Sequence, residues 1–254
     1  MASVALRPRT PSELVDAAFQ IMRAHYPQFV MCSALAYLPW LIVQLIVASD
    51  PTVYLRVNPW AGAVFGVGIW LIFALMSAVL IVCASQAYLG EPVDVAMAVN
   101  KAFSRLPVVL VGALLRYVCM FLGLIAFVVG ALYVGARLFA MTPVIVLENQ
   151  GVTGAFSRSS FLSLGRKRHI INTLGLVAVI CWVLAVGVQL AAALIGGAVV
   201  QAIVAAIYTM MVYPVVGITE AVLYYDTRIK SEGLDIELMA SALEVAPPRE
   251  SSSP

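Results

Sequence analysis

Long apolar runs separated by short polar segments dominate the sequence, and their lengths predict its architecture. A helix that crosses a bilayer needs about 20 predominantly apolar residues. The runs predict six spans, over residues 29–49, 60–89, 107–129, 131–148, 170–192 and 199–225. The third and fourth spans come from one double-length run, which we divide near Gly130, and Pro214 predicts a kink in the sixth.

Three amphipathic segments lie between these runs, each ahead of a pair of spans. They cover residues 11–25, 92–106 and 152–164, and in each of them apolar residues recur at helical spacing among polar ones. The first opens with Thr10-Pro11-Ser12-Glu13, which predicts a capping box with proline in the first turn. We therefore predict an all-α, polytopic membrane bundle of six transmembrane helices with three amphipathic interfacial helices.

The composition favours a membrane protein over a soluble domain. Of the 254 residues, 63% are hydrophobic and 11% are charged, whereas soluble domains carry roughly 45–50% apolar and about 25% charged residues. Residues 1–245 form a single predicted membrane domain. Residues 246–254 are polar and proline-rich, which predicts a disordered tail.

The distribution of basic residues predicts the orientation of the bundle. An even number of spans puts both termini and the two long connections on one side. That side holds Arg7, Arg9, Arg23, Lys101, Arg105, Arg158, Arg166, Lys167, Arg168, Arg228, Lys230 and Arg249. The other side holds Arg56, with Arg137 buried nearby. Because cytoplasmic loops carry an excess of Lys and Arg, we expect both termini to be cytoplasmic.

Arg116 is the charge that the sequence places near mid-membrane. If the third span begins at Pro107, Arg116 lies roughly 14 Å along the helix at 1.5 Å per residue. A charge at that depth costs about 2.5–3.5 kcal/mol, so it needs a partner or a water-filled cavity. Glu220 is the first candidate partner and Glu148 the second. The resulting pair either fixes helix packing or belongs to a substrate or proton site.

Arg166, Lys167 and Arg168 form the densest basic cluster, ahead of the fifth span. Juxtamembrane bases attract anionic lipids by about 1 kcal/mol each. The cluster is either an orientation signal with diffuse headgroup contact or a defined phosphate-binding pocket. In both cases we expect membrane lipids, and anionic headgroups in particular, to be its partners.

The sequence offers little that could support catalysis. Both histidines, His25 and His169, lie outside the predicted spans, and no nucleophile, zinc or phosphate-loop motif is present. The four cysteines lie within apolar runs without ligand spacing, so we interpret them as small buried hydrophobic residues. We therefore expect no enzymatic activity, no cofactor, no metal and no nucleic-acid partner.

Three segments together resemble a known family. They are residues 9–19 (RTPSELVDAAF), residues 142–159, which include TPVIVLE and AFSRS, and residues 223–237 (LYYDTRIKSEGLDIE). These segments resemble the glycerophosphoryl diester phosphodiesterase membrane-domain family of bacteria. The resemblance implies a six-helix module of the bacterial inner membrane. Some members join this module to a soluble phosphodiesterase domain, but the sequence shows no segment with the histidines and carboxylates of such a domain.

Two functions follow from this reading as expectations. The first is a non-enzymatic membrane module of unknown role that organises lipid or protein partners at the cytoplasmic face. The alternative is a small transporter or channel for an anionic or lipid-derived solute, with Arg116 in its pathway. A transporter should bring its polar residues together at a midplane cavity, whereas an organising module should keep Arg116 paired and dry.

Overall fold

The structure is a computed structural model, which describes residues 9–50, 60–125 and 127–232. The helices in these ranges are α1 (Pro11–Ala24), α2 (Tyr26–Ser49), α3 (Trp60–Leu89), α4 (Val95–Ser104), α5 (Leu106–Leu124), α6 (Phe127–Arg137), α7 (Met141–Leu147), α8 (Val152–Leu162), α9 (Lys167–Ile195), α10 (Ala198–Val212) and α11 (Pro214–Glu232). Six helical segments are long and apolar enough to cross a membrane. The predicted all-α, polytopic bundle is therefore confirmed, and the chain is a multi-pass membrane protein. The tail predicted over residues 246–254 lies outside the described residues.

The amphipathic helix α1 packs against the bundle along its apolar face. Thr10 Oγ1 accepts a hydrogen bond from the backbone of Glu13, and Glu13 Oε2 accepts one from the backbone of Thr10, so the predicted capping box is confirmed. Leu14 and Ala18 are fully buried, and α1 packs against α9 and α11. Asp16 and Arg23 lie on its exposed face.

The core lies around α11 and the second half of α3. Leu80 and Ile81 of α3, and Ile218 and Val222 of α11, have no exposed surface. The hairpins α5–α6 and α9–α10 are much less covered by protein. Leu194, for example, is 89% exposed at the end of α9. In a membrane protein such apolar surfaces face lipid. Lipid chains therefore cover the apolar side chains that other helices do not.

The turn between the third and fourth spans is not where we predicted it. α5 ends at Leu124 and α6 begins at Phe127, whereas the sequence suggested a division near Gly130. Gly130 instead permits close helix packing. A Cβ on Gly123 would lie 2.9 Å from the carbonyl oxygen of Gly130, so the two backbones can approach only because Gly123 has no side chain.

The prediction of a continuous helix over residues 131–148 is wrong. α6 ends at Arg137, and a turn separates it from α7. The buried Ser159 hydroxyl accepts a hydrogen bond from the backbone of Ala140 at 3.1 Å and donates one to the carbonyl of Arg137 at 2.9 Å. The break is stable because this one side chain satisfies backbone groups that the interrupted helix leaves unpaired.

The other differences concern where helices begin and end. α2 begins at Tyr26, and α9 extends beyond the predicted 170–192 at both ends. The sixth span is interrupted at Tyr213, directly before Pro214, where the sequence predicted a kink. α11 then continues well past residue 225 to Glu232, because its polar last turns are paired with Arg158 of α8 and His169 of α9.

Candidate functional site at the end of α11

The last turns of α11 carry two sets of polar residues that face different neighbours. Asp226 and Lys230 are four residues apart and share one face of the helix, as do Arg228 and Glu232. The first pair contacts the beginnings of α1 and α9, and the second contacts α8. Tyr224, one turn before Arg228, contacts Glu148 at the end of α7. The end of α11 therefore joins four other helices through charged groups.

Asp226 is the centre of the first set, which we call the Asp226 cluster. Its side chain is 1% exposed. Its Oδ1 accepts a hydrogen bond from the backbone nitrogen of Arg9 at 2.9 Å, and its Oδ2 lies 3.0 Å from His169 Nε2 and 2.7 Å from Lys230 Nζ. Since a buried carboxylate is costly unless it is paired, these three contacts stabilise it. Lys230 Nζ also donates to the carbonyl of Arg9 at 2.8 Å.

Aromatic rings extend the Asp226 cluster towards α3. The rings of Tyr88 and Tyr225 are stacked, with centroids 4.9 Å apart and planes 12° from parallel. The hydroxyls of Tyr225 and Ser85 are 2.6 Å apart. The guanidinium of Arg9 lies 5.9 Å from the centroid of the Tyr88 ring, within cation–π range. The start of α1 is thus fixed to both α3 and α11.

The second set, the Arg158 cluster, places one guanidinium between two carboxylates. Arg158 Nε lies 3.0 Å from Glu148 Oε2, and its Nη2 lies 2.9 Å from Glu232 Oε2. Arg228 Nε contacts the same oxygen of Glu232 at 3.0 Å, and the Tyr224 hydroxyl donates to Glu148 at 2.7 Å. Hydrogen bonding to Glu232 and the nearby charge of Glu148 raise the pKa of Arg158, which keeps its positive charge.

The structure brings together one of the two carboxylate partners that the sequence offered for Arg116. Arg116 Nη1 lies 3.0 Å from Glu220 Oε1. Glu148, the second candidate, lies elsewhere and contacts Arg158 and Tyr224. Glu148 directly follows the last residue of α7. The next helix, α8, packs against this end of α7 and brings Arg158 into contact with Glu148.

The three bases of the predicted lipid cluster have different surroundings. Arg166 Nη2 donates to the carbonyl of Lys230 at 2.5 Å, which ties it to the end of α11. Lys167 Nζ lies 2.9 Å from the hydroxyl of Tyr133 and 4.3 Å from the centroid of its ring. Arg168 is exposed, and no described residue pairs with it. Arg168 is therefore the member of the cluster that has no interaction with another described residue.

The two clusters hold the end of α11 against its neighbouring helices through paired charges. The carboxylates of Asp226, Glu148 and Glu232 are all engaged by cations of the chain itself. Within residues 9–50, 60–125 and 127–232, no group of three His, Cys, Asp or Glu side chains could hold a metal ion.

The sequence analysis missed Asp226, His169, Lys230 and Arg158 as interacting residues. A signal was present, because Tyr224, Arg228 and Glu232 on one face and Asp226 and Lys230 on another recur at four-residue spacing. The apolar pattern ended the sixth span at residue 225, and this removed those residues from the helix. His169 and Arg158 are distant in sequence, so only the fold could pair them.

No family model matches the chain, and no curated protein or solved structure is similar to it. Membership of the glycerophosphoryl diester phosphodiesterase membrane-domain family therefore stays a prediction from the three segments quoted above. Those segments do meet in the structure. Arg9, Arg158 and Asp226, one residue from each segment, all belong to the two clusters at the end of α11.

Proposed function

We propose that the chain is a non-enzymatic membrane module that organises anionic lipids, or a protein partner, at the cytoplasmic face of a bacterial inner membrane. The observation that carries this proposal is the exposed Arg168, which lies beside cations that are already engaged within the protein. A cation without an internal partner at a membrane surface attracts anionic headgroups. The resemblance to the bacterial family supports the choice of membrane.

The surroundings of Arg116 favour this function over the transporter. Arg116 and Glu220 pair directly, and their side chains are only 24% and 9% exposed. The cavity of about 480 Å³ between α1, α9 and α10 is apolar and is lined by neither residue. A transport pathway would instead bring intramembrane polar groups to a shared cavity. The pair therefore fits a role in helix packing.

Lipid selectivity tests the proposal directly. We expect Arg168→Gln, in nanodiscs of equal phosphatidylglycerol and phosphatidylethanolamine, to reduce the bound anionic fraction measured by native mass spectrometry roughly fivefold at low salt. Arg56→Gln is the matched control, because the predicted topology puts Arg56 on the opposite side. An unchanged lipid ratio in Arg168→Gln would reject lipid organisation by this surface and leave the protein-partner form of the proposal.

The orientation requires a separate experiment. Reporter fusions after Pro254 and after Asn58 should give cytoplasmic and external signals, respectively, because the basic residues concentrate at the end that carries Arg168. An external signal at Pro254 would place this end outside the cytoplasm. The proposed cytoplasmic surface would then be wrong, whatever lipid Arg168 binds.

A further inference from the structure

An apolar groove separates the α1–α2 corner from the α9–α10 hairpin. The corner contributes Phe19, Met22, Arg23 and Tyr26 to its lining. The facing wall comes from Leu184 and Val188 of α9, from α10 between Val204 and Val212, and from Val215. Its volume is about 480 Å³, a size that is common for small-molecule and cofactor sites. We refer to it as the α1–α10 groove.

The shape and chemistry of the α1–α10 groove suit a hydrocarbon chain. Val204 and Val212 are eight residues apart, so the wall extends about 12 Å along α10 at 1.5 Å per residue. The hydroxyl of Tyr208 donates to the carbonyl of Cys181, so this polar group is already satisfied. Leu184, Ile207 and Met211 present apolar side chains that are 42–51% exposed. Water gains too few hydrogen bonds in such a space to occupy it stably.

The α1 side of the groove carries a positive charge. A smaller cavity of about 320 Å³, lined by Asp16, Phe19, Gln20 and Arg23, adjoins the groove and shares Phe19 and Arg23 with it. Arg23 is exposed, and within the described parts of the chain its guanidinium has no hydrogen bond or ion pair. A guanidinium matches the geometry of a phosphate group and binds it with two parallel hydrogen bonds.

We infer that the α1–α10 groove binds one acyl chain of a phospholipid, whose phosphate is held by Arg23. The chain covers the apolar walls of α9 and α10, and the headgroup lies along the exposed face of α1 beside Gln20 and Asp16. The charge at one side and the apolar wall beyond it match an amphiphile, whereas a second protein helix would not require the cation. This site is distinct from Arg168 and goes beyond the proposed function, since it requires neither anionic lipid nor a particular orientation.

Photolabelling in vesicles of phosphatidylcholine alone tests this inference. The probe is a trace of phosphatidylcholine with a diazirine on one acyl chain, and labelled positions are located by mass spectrometry. We expect labelling to concentrate near Val188 and Val204, well above that at Val183, an exposed α9 residue outside the groove. Equal labelling at Val183 and in the groove would mean bulk lipid contact only and would overturn the inference.

Matched variants test the two halves of the site. Val188→Phe fills the groove and should lose most of the labelling at Val204, whereas Val183→Phe, the same change on the same helix, should keep it. Arg23→Gln should reduce groove labelling about tenfold, because the charged hydrogen bonds to the phosphate are lost, and Arg105→Gln should leave it unchanged. Thermal unfolding in detergent shows whether each variant is folded.

Saturation provides a measurement on the unmodified protein. In detergent micelles, unlabelled phosphatidylcholine should compete with the probe in the groove, because a defined site holds one chain. Labelling that does not saturate would overturn the inference. So would crosslinking of two copies of the chain through the groove residues, since a second copy would then be the occupant.

Discussion

Arg116 Nη1 in α5 lies 3.0 Å from Glu220 Oε1 in α11, although 104 positions separate the two residues. Both side chains are largely buried within membrane-spanning helices. Each charge is tolerated there because the other one compensates it, and the pair joins the exposed α5–α6 hairpin to the most buried helix of the core. Its role in stability can be measured.

Removing one partner of the Arg116–Glu220 pair should be more harmful than removing both. Arg116→Leu alone should lower the free energy of unfolding by about 3 kcal/mol, because it leaves a buried carboxylate without a partner. Arg116→Leu with Glu220→Gln should recover much of that loss. Thermal unfolding of both single variants and the double variant in detergent measures the coupling. Strictly additive losses would show that the two residues do not stabilise each other.

The Arg158 cluster should require a guanidinium and not only a positive charge. Arg158 uses all three of its guanidinium nitrogens to contact Glu148 and Glu232, whereas the single ammonium of a lysine cannot match that fork. Arg158→Lys should therefore destabilise the protein by about 1.5–3 kcal/mol, the range for hydrogen bonds to charged groups. Arg105→Lys is the control, with little expected change in unfolding temperature. A stable Arg158→Lys variant would contradict the bridging role.

Gly217 should be intolerant of even one methyl group. A Cβ at this position would lie 2.9 Å from the Cβ of Leu80, where α3 and α11 pack. Gly217→Ala should cost about 1–3 kcal/mol, as overpacking of a close-packed core does. Gly175→Ala is the matched control, because nothing lies within 4 Å of the added atom, and it should be neutral or stabilising. Equal unfolding temperatures for the two variants would argue against the close α3–α11 contact.

Two of the four native cysteines should form a disulfide when the wild-type protein is oxidised. The sulfurs of Cys32 in α2 and Cys83 in α3 are 3.7 Å apart, which is close enough for a mild oxidant such as copper–phenanthroline to join them. With a protease site inserted between residues 51 and 59, the cleaved oxidised chain should migrate as one species until it is reduced. Cys32→Ser should abolish this behaviour, and Cys119→Ser should not. Two separate fragments from the oxidised wild type would contradict the α2–α3 register.

The sequence predicts those parts of the fold that depend on the bilayer, namely the six spans. Apolar length predicts the spans, since every lipid-exposed backbone group must be satisfied within its own helix. An unpaired charge in the bilayer is costly, so Arg116 needs a partner. Because few carboxylates lie near the spans, Glu220 could be predicted as that partner from the sequence. The break after Arg137 could not be predicted, because it depends on Ser159 arriving from a different helix. Nor could the sequence predict that Arg166 and Lys167 contact Lys230 and Tyr133 while Arg168 stays exposed, because those contacts depend on how the helices pack.

Arg9 meets Asp226 across 217 positions, so α1 cannot reach its final place until α11 has been synthesised. A ribosome that adds 5–20 residues per second needs roughly 10–40 s to cover that distance. During this interval the apolar face of α1, with Leu14 and Ala18, lacks its contacts with α11. The bilayer surface can receive it, since an amphipathic helix is stable at the interface. When α11 inserts, α1 replaces part of its lipid contacts with contacts to α11. Formation of the Asp226 cluster is then the last step in placing α1.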